Sequence, residues 1–453
     1  MILHLGGGHA RIALLATVLT TWARFCVPSH AAGVAGWRLE PEPGLFEIGL
    51  AKATPGRSWT ADFDQGWRRS SGLEIGVESG LRLRRGPWEA RARWRGRWGE
   101  FLPARGRWLE GSVRWSGNHL GLRLGREPID WGPVPQASLL LSHHPPPLDH
   151  AGVVACFGAG PAGRGMGETF VAYLDDRHRT IPFPLLWGMR LAWEPRVWLR
   201  VEAQRTILLG GVGRTRRLQA EDIWDMFLGR RENLAGPSGH PEAYPVGDSD
   251  QKFAWQVVLH PRVWAQRRGL HDLEAFWVYA GEDHFRGLGP TAPGRALGLR
   301  VHPSPRWATS FIHAATVDDR NFWYHHKIYG YGYTYRGFLI GHPMGGDARL
   351  WHGALHWLPE PDRYWSLAIW RERRGYYRDG RGLVAGGYWG WRLGIEVPMQ
   401  AMRLRAELGG SVAWGGDRTT ERVPEGLFQI RLMWGGGTGS VGLDRAEVWG
   451  GPA

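Results

Sequence analysis

The sequence predicts an all-β fold, a large antiparallel transmembrane β-barrel, and three observations indicate that class. Apolar and polar side chains alternate along many segments of about ten residues, which is the length and pattern of a strand that crosses a membrane. Short turns that contain Pro recur between such segments. The composition is also unusual, because the 453 residues include 28 Trp and 67 Gly, whereas a Gly share of about 7% is ordinary.

The same composition excludes three other classes of protein. A chain that is 43% hydrophobic and 12% aromatic can bury enough surface to fold, so it is not disordered. Beyond the N-terminus, no stretch approaches the roughly 18 apolar residues of a membrane-spanning helix, which excludes a helical membrane protein. Cys26 and Cys156 are the only cysteines, which excludes a disulfide-rich scaffold.

Residues 1–35 have the pattern of a secretory signal peptide. His4 and Arg11 precede an apolar run over residues 12–22, and small residues suited to cleavage follow at 29–31 and 33–35. The alternative is an N-terminal core helix. Cleavage would remove two arginines and lower the net charge from +13 to +11. We therefore expect residues 36–453 to form a single exported barrel domain.

Residues 88–98 show the strand pattern most clearly. If they are extended, successive side chains point to opposite faces. One face is apolar, with Trp near both ends, as in the aromatic girdles of membrane barrels. The other face is polar, and we expect it to line the lumen with Arg91, Arg93, Arg95 and Arg97.

The alternation and the turns extend along most of the mature chain. Similar alternation occurs in residues 73–78, 197–204, 391–397 and 428–434. The first prolines of the turns stand at positions 195, 261, 303, 359 and 398, in steps of 66, 42, 56 and 39 residues. Each step accommodates two strands of about ten residues and one long loop. The mature chain is long enough for well over a dozen strands.

Residues 215–234 depart from this pattern. Their apolar side chains recur near helical spacing, so a short helix is expected inside a long loop. We predict that this helix obstructs the lumen from within.

Two segments carry the candidate binding residues. Residues 321–347 are crowded with aromatic and basic side chains, whose rings can stack on sugars and whose polar groups can bind hydroxyls and carboxylates. A girdle strand followed by a packed loop explains this composition equally well. A second segment, 125–149, begins with a tight turn expected at the rim. The candidate polysaccharide-binding residues are Tyr324, His325, Tyr331, Tyr333, Tyr335, Arg336, His342, Trp131 and Asp130.

These landmarks resemble the Wzi-type capsule assembly proteins of Gram-negative outer membranes. The shared features, in order, are Trp-Gly-Pro at 131–133, Ser-Leu-Leu-Leu-Ser at 138–142, Gly-Glu-Asp at 281–283 and the Tyr- and His-rich series at 324–342. The resemblance implies a barrel of about eighteen strands, partly plugged by helices, that acts as a lectin for capsular polysaccharide. The sequence departs from the family at Val134, where Gly is usual, at His143-His144-Pro145 and at its C-terminal end.

The predicted function is the non-enzymatic binding of capsular or another acidic polysaccharide, which the protein anchors to the cell surface. Arginines between low-dielectric walls focus a positive potential that attracts anionic chains. The expected partners are this polysaccharide, outer-membrane lipid and the capsule export machinery, and no nucleic acid, cofactor or metal is expected. An anion-selective porin is the main alternative. An outer-membrane acyl hydrolase is a weaker one, because no Gly-x-Ser-x-Gly motif occurs.

Overall fold

The computed structural model describes most of the predicted barrel domain. The described residues are 33–34, 37–52, 72–100, 105–160, 162–212, 219–227, 249–282, 291–317, 323–326, 329–360, 362–375, 386–399, 402–415 and 424–434. The predicted signal peptide lies outside this part of the chain, apart from Gly33 and Val34, which pair with Arg38 and Trp37.

Eighteen strands form one antiparallel sheet. Their bounds are β1 Trp37–Lys52, β2 Gly72–Arg85, β3 Trp88–Gly99, β4 Arg105–Ser116, β5 Leu120–Glu127, β6 Leu148–Gly160, β7 Gly163–Tyr173, β8 Leu185–Arg196, β9 Leu199–Leu209, β10 Asp250–Leu259, β11 Asp272–Glu282, β12 Thr291–Ser304, β13 Trp307–Ala315, β14 Ala348–Trp357, β15 Tyr364–Arg374, β16 Gly386–Met399, β17 Met402–Gly415 and β18 Pro424–Trp434.

The sheet closes into a barrel, as the sequence predicts. Each strand pairs with the next along the chain, and β18 returns to pair with β1, with Leu432 opposite Phe46. At one end the strands are joined mainly by tight turns, such as Arg85 to Trp88 and Met399 to Met402. The connections at the other end are long. We call these the tight-turn end and the long-loop end; in outer-membrane barrels the long loops are extracellular.

The two faces of the wall differ as the alternation predicts. In β3, Trp88 and Trp98 are exposed on the outer face, whereas Arg97 is buried on the inner face. Three tryptophans at the tight-turn end form part of a girdle on neighbouring strands. Trp307 stacks on Trp357 with ring centroids 5.5 Å apart, and Trp357 lies 6.3 Å from Trp365. Such girdles mark the level of the membrane interface.

Two loops from the long-loop end fold into the barrel and fill its upper part. The first inner loop is residues 128–147, between β5 and β6, and the second is the described part of residues 323–347, between β13 and β14. Their apolar side chains form one buried cluster with inward-facing residues of the wall, including Phe170, Leu208, Phe276 and Ile312. The lumen at this level is therefore packed with protein.

Helix α1, Ala220–Phe227, lies within the segment where a helix was expected, but its position differs from the prediction. Its Met226 is buried against wall residues that share the outer face with the exposed Leu191 and Trp193. Those contacts are Ile207, Leu209, Leu185, Trp187 and Met189. Helix α1 therefore packs on the outside of the barrel. The prediction that this helix obstructs the lumen is wrong, and the inner loops occupy the lumen instead.

A second helix, α2, Arg262–Arg267, joins β10 to β11 at the tight-turn end, where a short Pro-containing turn was expected. No helix in the described ranges has the length and apolar character needed to cross a membrane.

Candidate functional site

The tip of the second inner loop presents Arg336 to solvent. A two-residue turn, Arg336-Gly337, joins the short paired strands Thr334–Tyr335 and Phe338–Leu339. Arg336 has a φ of 50° and Gly337 a φ of 78°. Gly adopts this left-handed conformation readily, but a side chain other than Asn or Asp is uncommon there, and such strain often marks a functional position.

Asp175, in the loop after β7, fixes the orientation of Arg336. The Nε of Arg336 donates to Asp175 Oδ1 at 3.0 Å, and a second guanidinium nitrogen donates to Oδ2. The hydroxyl of Tyr335 also donates to Asp175. Burial acts to raise the pKa of Asp175, but these hydrogen bonds outweigh it and hold the pKa below its ordinary value. Asp175 is therefore an anion that positions the arginine.

Further arginines surround this pair. Arg126, on β5, donates through Nε to Asp149 Oδ1 at 2.7 Å. Arg107, on β4, lies within electrostatic range of Arg336, Arg126 and Arg105. We call these residues the mouth cluster: Arg105, Arg107, Arg126, Arg336, Asp149 and Asp175. Four cations and two anions give it a formal charge of +2, and the side chains of Arg336 and Asp175 remain 34% and 32% exposed.

The predicted arginine ladder continues this basic surface along the inner wall. Arg97 lies directly opposite Arg105, and Arg95 directly opposite Arg107. Carboxylates on the same strand and on neighbouring strands offset the charge of the ladder. Arg95 pairs with Glu78 at 2.6 Å, and Arg97 with Glu47 at 3.4 Å. Arg93 also pairs with Glu78, and Arg91 pairs with Glu89 at 2.5 Å. The ladder is therefore largely an ion-pair network, and Arg105 and Arg107 extend its row of arginines to the long-loop end.

Four of the predicted sugar-binding aromatic residues are instead buried inside the barrel, so their rings cannot stack on an external glycan in this conformation. Tyr324 stacks on Tyr333 with centroids 5.9 Å apart, and Tyr333 lies against the buried Lys252 at 4.8 Å. The hydroxyl of Tyr333 donates to Thr206 at 2.9 Å. Tyr335 and Trp131 are likewise buried. The packed-loop interpretation of this segment is the one that the structure supports for these residues.

His342 is also fully buried and joins the two inner loops. Its Nε2–H donates to the carbonyl oxygen of Gln136 at 3.1 Å, and its Nδ1 accepts from the backbone N–H of Met344 at 3.1 Å. Burial lowers the pKa of His342 to about 3. The ring is therefore neutral at ordinary pH, and its hydrogen bonds hold the two inner loops together.

Asp130 fixes the turn at the start of the first inner loop. Its Oδ1 accepts from the N–H of Gly132 at 2.8 Å and from the hydroxyl of Ser138 at 2.6 Å. His143 approaches the other oxygen at 3.5 Å. The carboxylate thus lies between serine and histidine, whereas a hydrolase needs the histidine beside the serine. This arrangement holds a turn and does not activate a nucleophile.

The remaining predicted residues, Tyr331 and His325, are exposed on the second inner loop, and Tyr331 is 58% exposed. With Arg336 they are the predicted residues that a large external ligand can reach. The residues predicted from the sequence do not include Arg107, Arg126, Asp149 and Asp175. The pairing of strands β4 to β7 and the inward fold of the second inner loop bring these residues close to Arg336. Within the described ranges, no three His, Cys, Asp or Glu side chains converge as a metal site.

Fold and site together define the class of this protein: an eighteen-stranded barrel of the outer-membrane type, filled by its own loops and basic at its mouth. Residues 307–416 match the family model of the capsule assembly protein Wzi. The predicted resemblance to Wzi-type capsule assembly proteins is thereby confirmed. No curated protein sequence matches the chain.

Solved structures show the same fold. Wzi of Escherichia coli, described as an outer membrane protein involved in group 1 capsule assembly and a carbohydrate-binding β-barrel, matches with a TM-score of 0.65 and 17% identity over 95% of this chain and 89% of that one. OpdQ of Pseudomonas aeruginosa matches with a TM-score of 0.51 and 10% identity over 88% of this chain and 99% of that one. OccD3 of the same organism matches with a TM-score of 0.50 and 9% identity over 90% of this chain and 93% of that one.

Proposed function

We propose that this protein is a non-enzymatic outer-membrane barrel that binds capsular or another acidic polysaccharide at its long-loop end and anchors it to the cell surface. The observation that carries the proposal is the mouth cluster, with its net positive charge above a lumen filled by the inner loops. A filled lumen favours a ligand that stays at the mouth. The family match and the carbohydrate binding described for the Escherichia coli protein support the same role.

The proposed recognition follows from the chemistry of the cluster. A guanidinium group can bind a carboxylate through two parallel hydrogen bonds. Arg126 and Arg336 already bind Asp149 and Asp175 through Nε and one terminal nitrogen, so each offers the opposite edge of its guanidinium group. Together with Arg107 they present these groups from three different segments, so they can contact successive acidic units of one chain. Tyr331 adds an exposed aromatic side chain on the same loop as Arg336, and the face of its ring can stack on a sugar. Low-dielectric walls strengthen the attraction between the cluster and the polymer.

The location belongs to the same proposal. The signal peptide 1–35 would direct export and be cleaved, and the apolar outer band would insert into outer-membrane lipid. The capsule export machinery is the expected partner that delivers the polymer. The packed upper lumen disfavours the alternative of an anion-selective porin, which needs a continuous aqueous path.

Binding of defined polymers to the purified protein in detergent tests this function. We expect a glucuronate-containing polysaccharide to bind, neutral dextran to bind much more weakly, and the acidic polymer to dissociate as salt rises, because salt screens exposed charges. The Arg126→Gln/Arg336→Gln variant should lose most of this binding.

The matched control is Arg38→Gln/Arg164→Gln, which removes two exposed arginines at the tight-turn end and changes the net charge equally. Equal binding of acidic and neutral polymers, or loss of binding in the control alone, would contradict the proposal.

A further inference from the structure

Four arginines lie on the outer wall of the barrel, near the long-loop ends of neighbouring strands. They are Arg295 on β12, Arg349 on β14, and Arg371 and Arg373 on β15, and all but the half-buried Arg349 are exposed. Their strand positions alternate with buried inward residues, and the outward residues nearer mid-wall, such as Leu297 and Ile369, are apolar. The arginines therefore stand at the upper border of the lipid-facing band.

The strand register places these arginines in two adjacent rows. In the upper row, Arg295 pairs with Ala315, Ala315 with Arg349, and Arg349 with Arg373. In the row below, Arg371 is flanked by Trp351 and Trp389. We call the four arginines and these two tryptophans the outer belt.

The outer belt has a strong positive charge. Arg349 and Arg373 are direct cross-strand partners, and like charges in that relation destabilise a sheet. Glu372 and Glu396, on β15 and β16, point inward and are buried.

The aromatic residues fix the depth of the outer belt. The Arg371 guanidinium lies 5.8 Å from the ring centroid of Trp351 and 5.2 Å from that of Trp389. Tryptophans on the outer face of a membrane barrel mark the level of the lipid headgroups. The guanidinium groups thus lie where the headgroups of the extracellular leaflet would be.

We propose that the outer belt binds the phosphate groups of a phosphorylated glycolipid in the outer leaflet. Arginine binds phosphate through two parallel hydrogen bonds, and Arg349 with Arg373 offers two such groups side by side. The hydrophobic rings beneath them would contact the glycolipid where its sugar meets its acyl chains. This site faces lipid and is separate from the mouth cluster, so it rests on the proposed membrane location but not on polysaccharide binding.

Native mass spectrometry of the full-length mature protein with diphosphoryl lipid A tests the proposal. We expect wild-type protein to retain lipid A and to retain a dephosphorylated form much less. The Arg349→Gln/Arg373→Gln variant should bind lipid A about tenfold to thirtyfold more weakly, because each basic residue near an anionic surface contributes roughly 1 kcal/mol. Arg38→Gln/Arg164→Gln, with equal charge loss at the opposite end, should bind normally.

Heat-modifiable migration in gels checks that each variant is folded, and binding of the acidic polysaccharide is measured in parallel. Normal lipid A binding by folded Arg349→Gln/Arg373→Gln protein would overturn the proposal, as would equal retention of the phosphate-free lipid. Loss of polysaccharide binding in this variant without loss of lipid A would also overturn it, because the outer belt would then serve the polymer. Failure of the proposed polysaccharide function alone would leave lipid A binding intact.

Discussion

His342 and Gln136 connect the two inner loops directly, through a hydrogen bond of 3.1 Å between the imidazole Nε2 and the backbone carbonyl oxygen. The donor must be the neutral ring, because Nδ1 accepts from the N–H of Met344. A proton on Nδ1 would abolish that second hydrogen bond and leave a charge buried among the loops. The contact therefore makes the packing of the lumen sensitive to acid.

The first prediction concerns pH. The pKa of His342 is about 3 in the folded protein and 6.5 ordinarily, so the unfolded loops bind a proton that the folded loops exclude. Packing of the inner loops should be strongest above about pH 6.5 and weaken as the pH falls towards 3, by about 1.4 kcal/mol per pH unit.

Hydrogen exchange of amides in residues 329–347, measured from pH 7 to pH 4 and corrected for intrinsic rates, checks this. His342→Gln should reduce the pH dependence, whereas His325→Gln, at an exposed position, should keep it. Constant protection of these amides in wild-type protein over that range would contradict the assignment.

The second prediction concerns Gly132, which the first inner loop requires for close packing. A Cβ at this position would lie 2.7 Å from the backbone Cα of Ser138 and 2.0 Å from its hydroxyl oxygen. Gly132→Ala should therefore displace the turn held by Asp130 and cost about 1–3 kcal/mol. Gly111→Ala is the matched control, because a Cβ there meets no atom within 4 Å. Equal thermal midpoints for the two variants would show that the turn can relax without cost.

The third prediction concerns conductance. Because the inner loops fill the upper lumen, the wild-type protein should show little or no conductance in planar bilayers. Replacing residues 323–347 by a short Gly-Ser linker should open a path lined by the arginines and glutamates of the inner wall, and stepwise currents should appear. Large anion-selective currents from the wild-type protein would instead support the porin alternative.

The barrel could be predicted from the sequence, whereas the contents of its lumen could not. Alternation in β3 is a local property, since each side chain's face depends only on its place along the strand. Helix α1 has a local signal as well, but that signal does not say which side of the wall it covers. Ile207 and Trp187 decide this, because they present an apolar outer surface on which Met226 packs.

Some residues of the candidate site could likewise be identified from the sequence, whereas others depend on tertiary packing. Arg336 could be recognised in the sequence as a basic residue among aromatic ones. Tyr324 and Tyr333 have the same local composition but are buried, because the loop folds inward and stacks their rings. Asp175 lies about 160 residues before Arg336, and nothing in its own segment indicates a partner. Such long-range pairs are decided by tertiary packing.

The fourth prediction tests the position of helix α1. Met226 is buried on the outer wall, so Met226→Ala should weaken the docking of the helix by about 2 kcal/mol. Amides of residues 220–227 should then exchange faster, while those of β9 are unchanged. Met399→Ala, which truncates an exposed side chain, is the control. If Met226→Ala altered only the exchange of the inner loops, the helix would lie inside the barrel.

A crystal structure of the protein with an acidic hexasaccharide tests the central claim most directly. The proposed function predicts that carboxylates of the sugar lie within hydrogen-bond distance of at least two of Arg107, Arg126 and Arg336, with a sugar ring near Tyr331. An oligosaccharide bound elsewhere on the barrel, with the mouth cluster unoccupied, would contradict the claim.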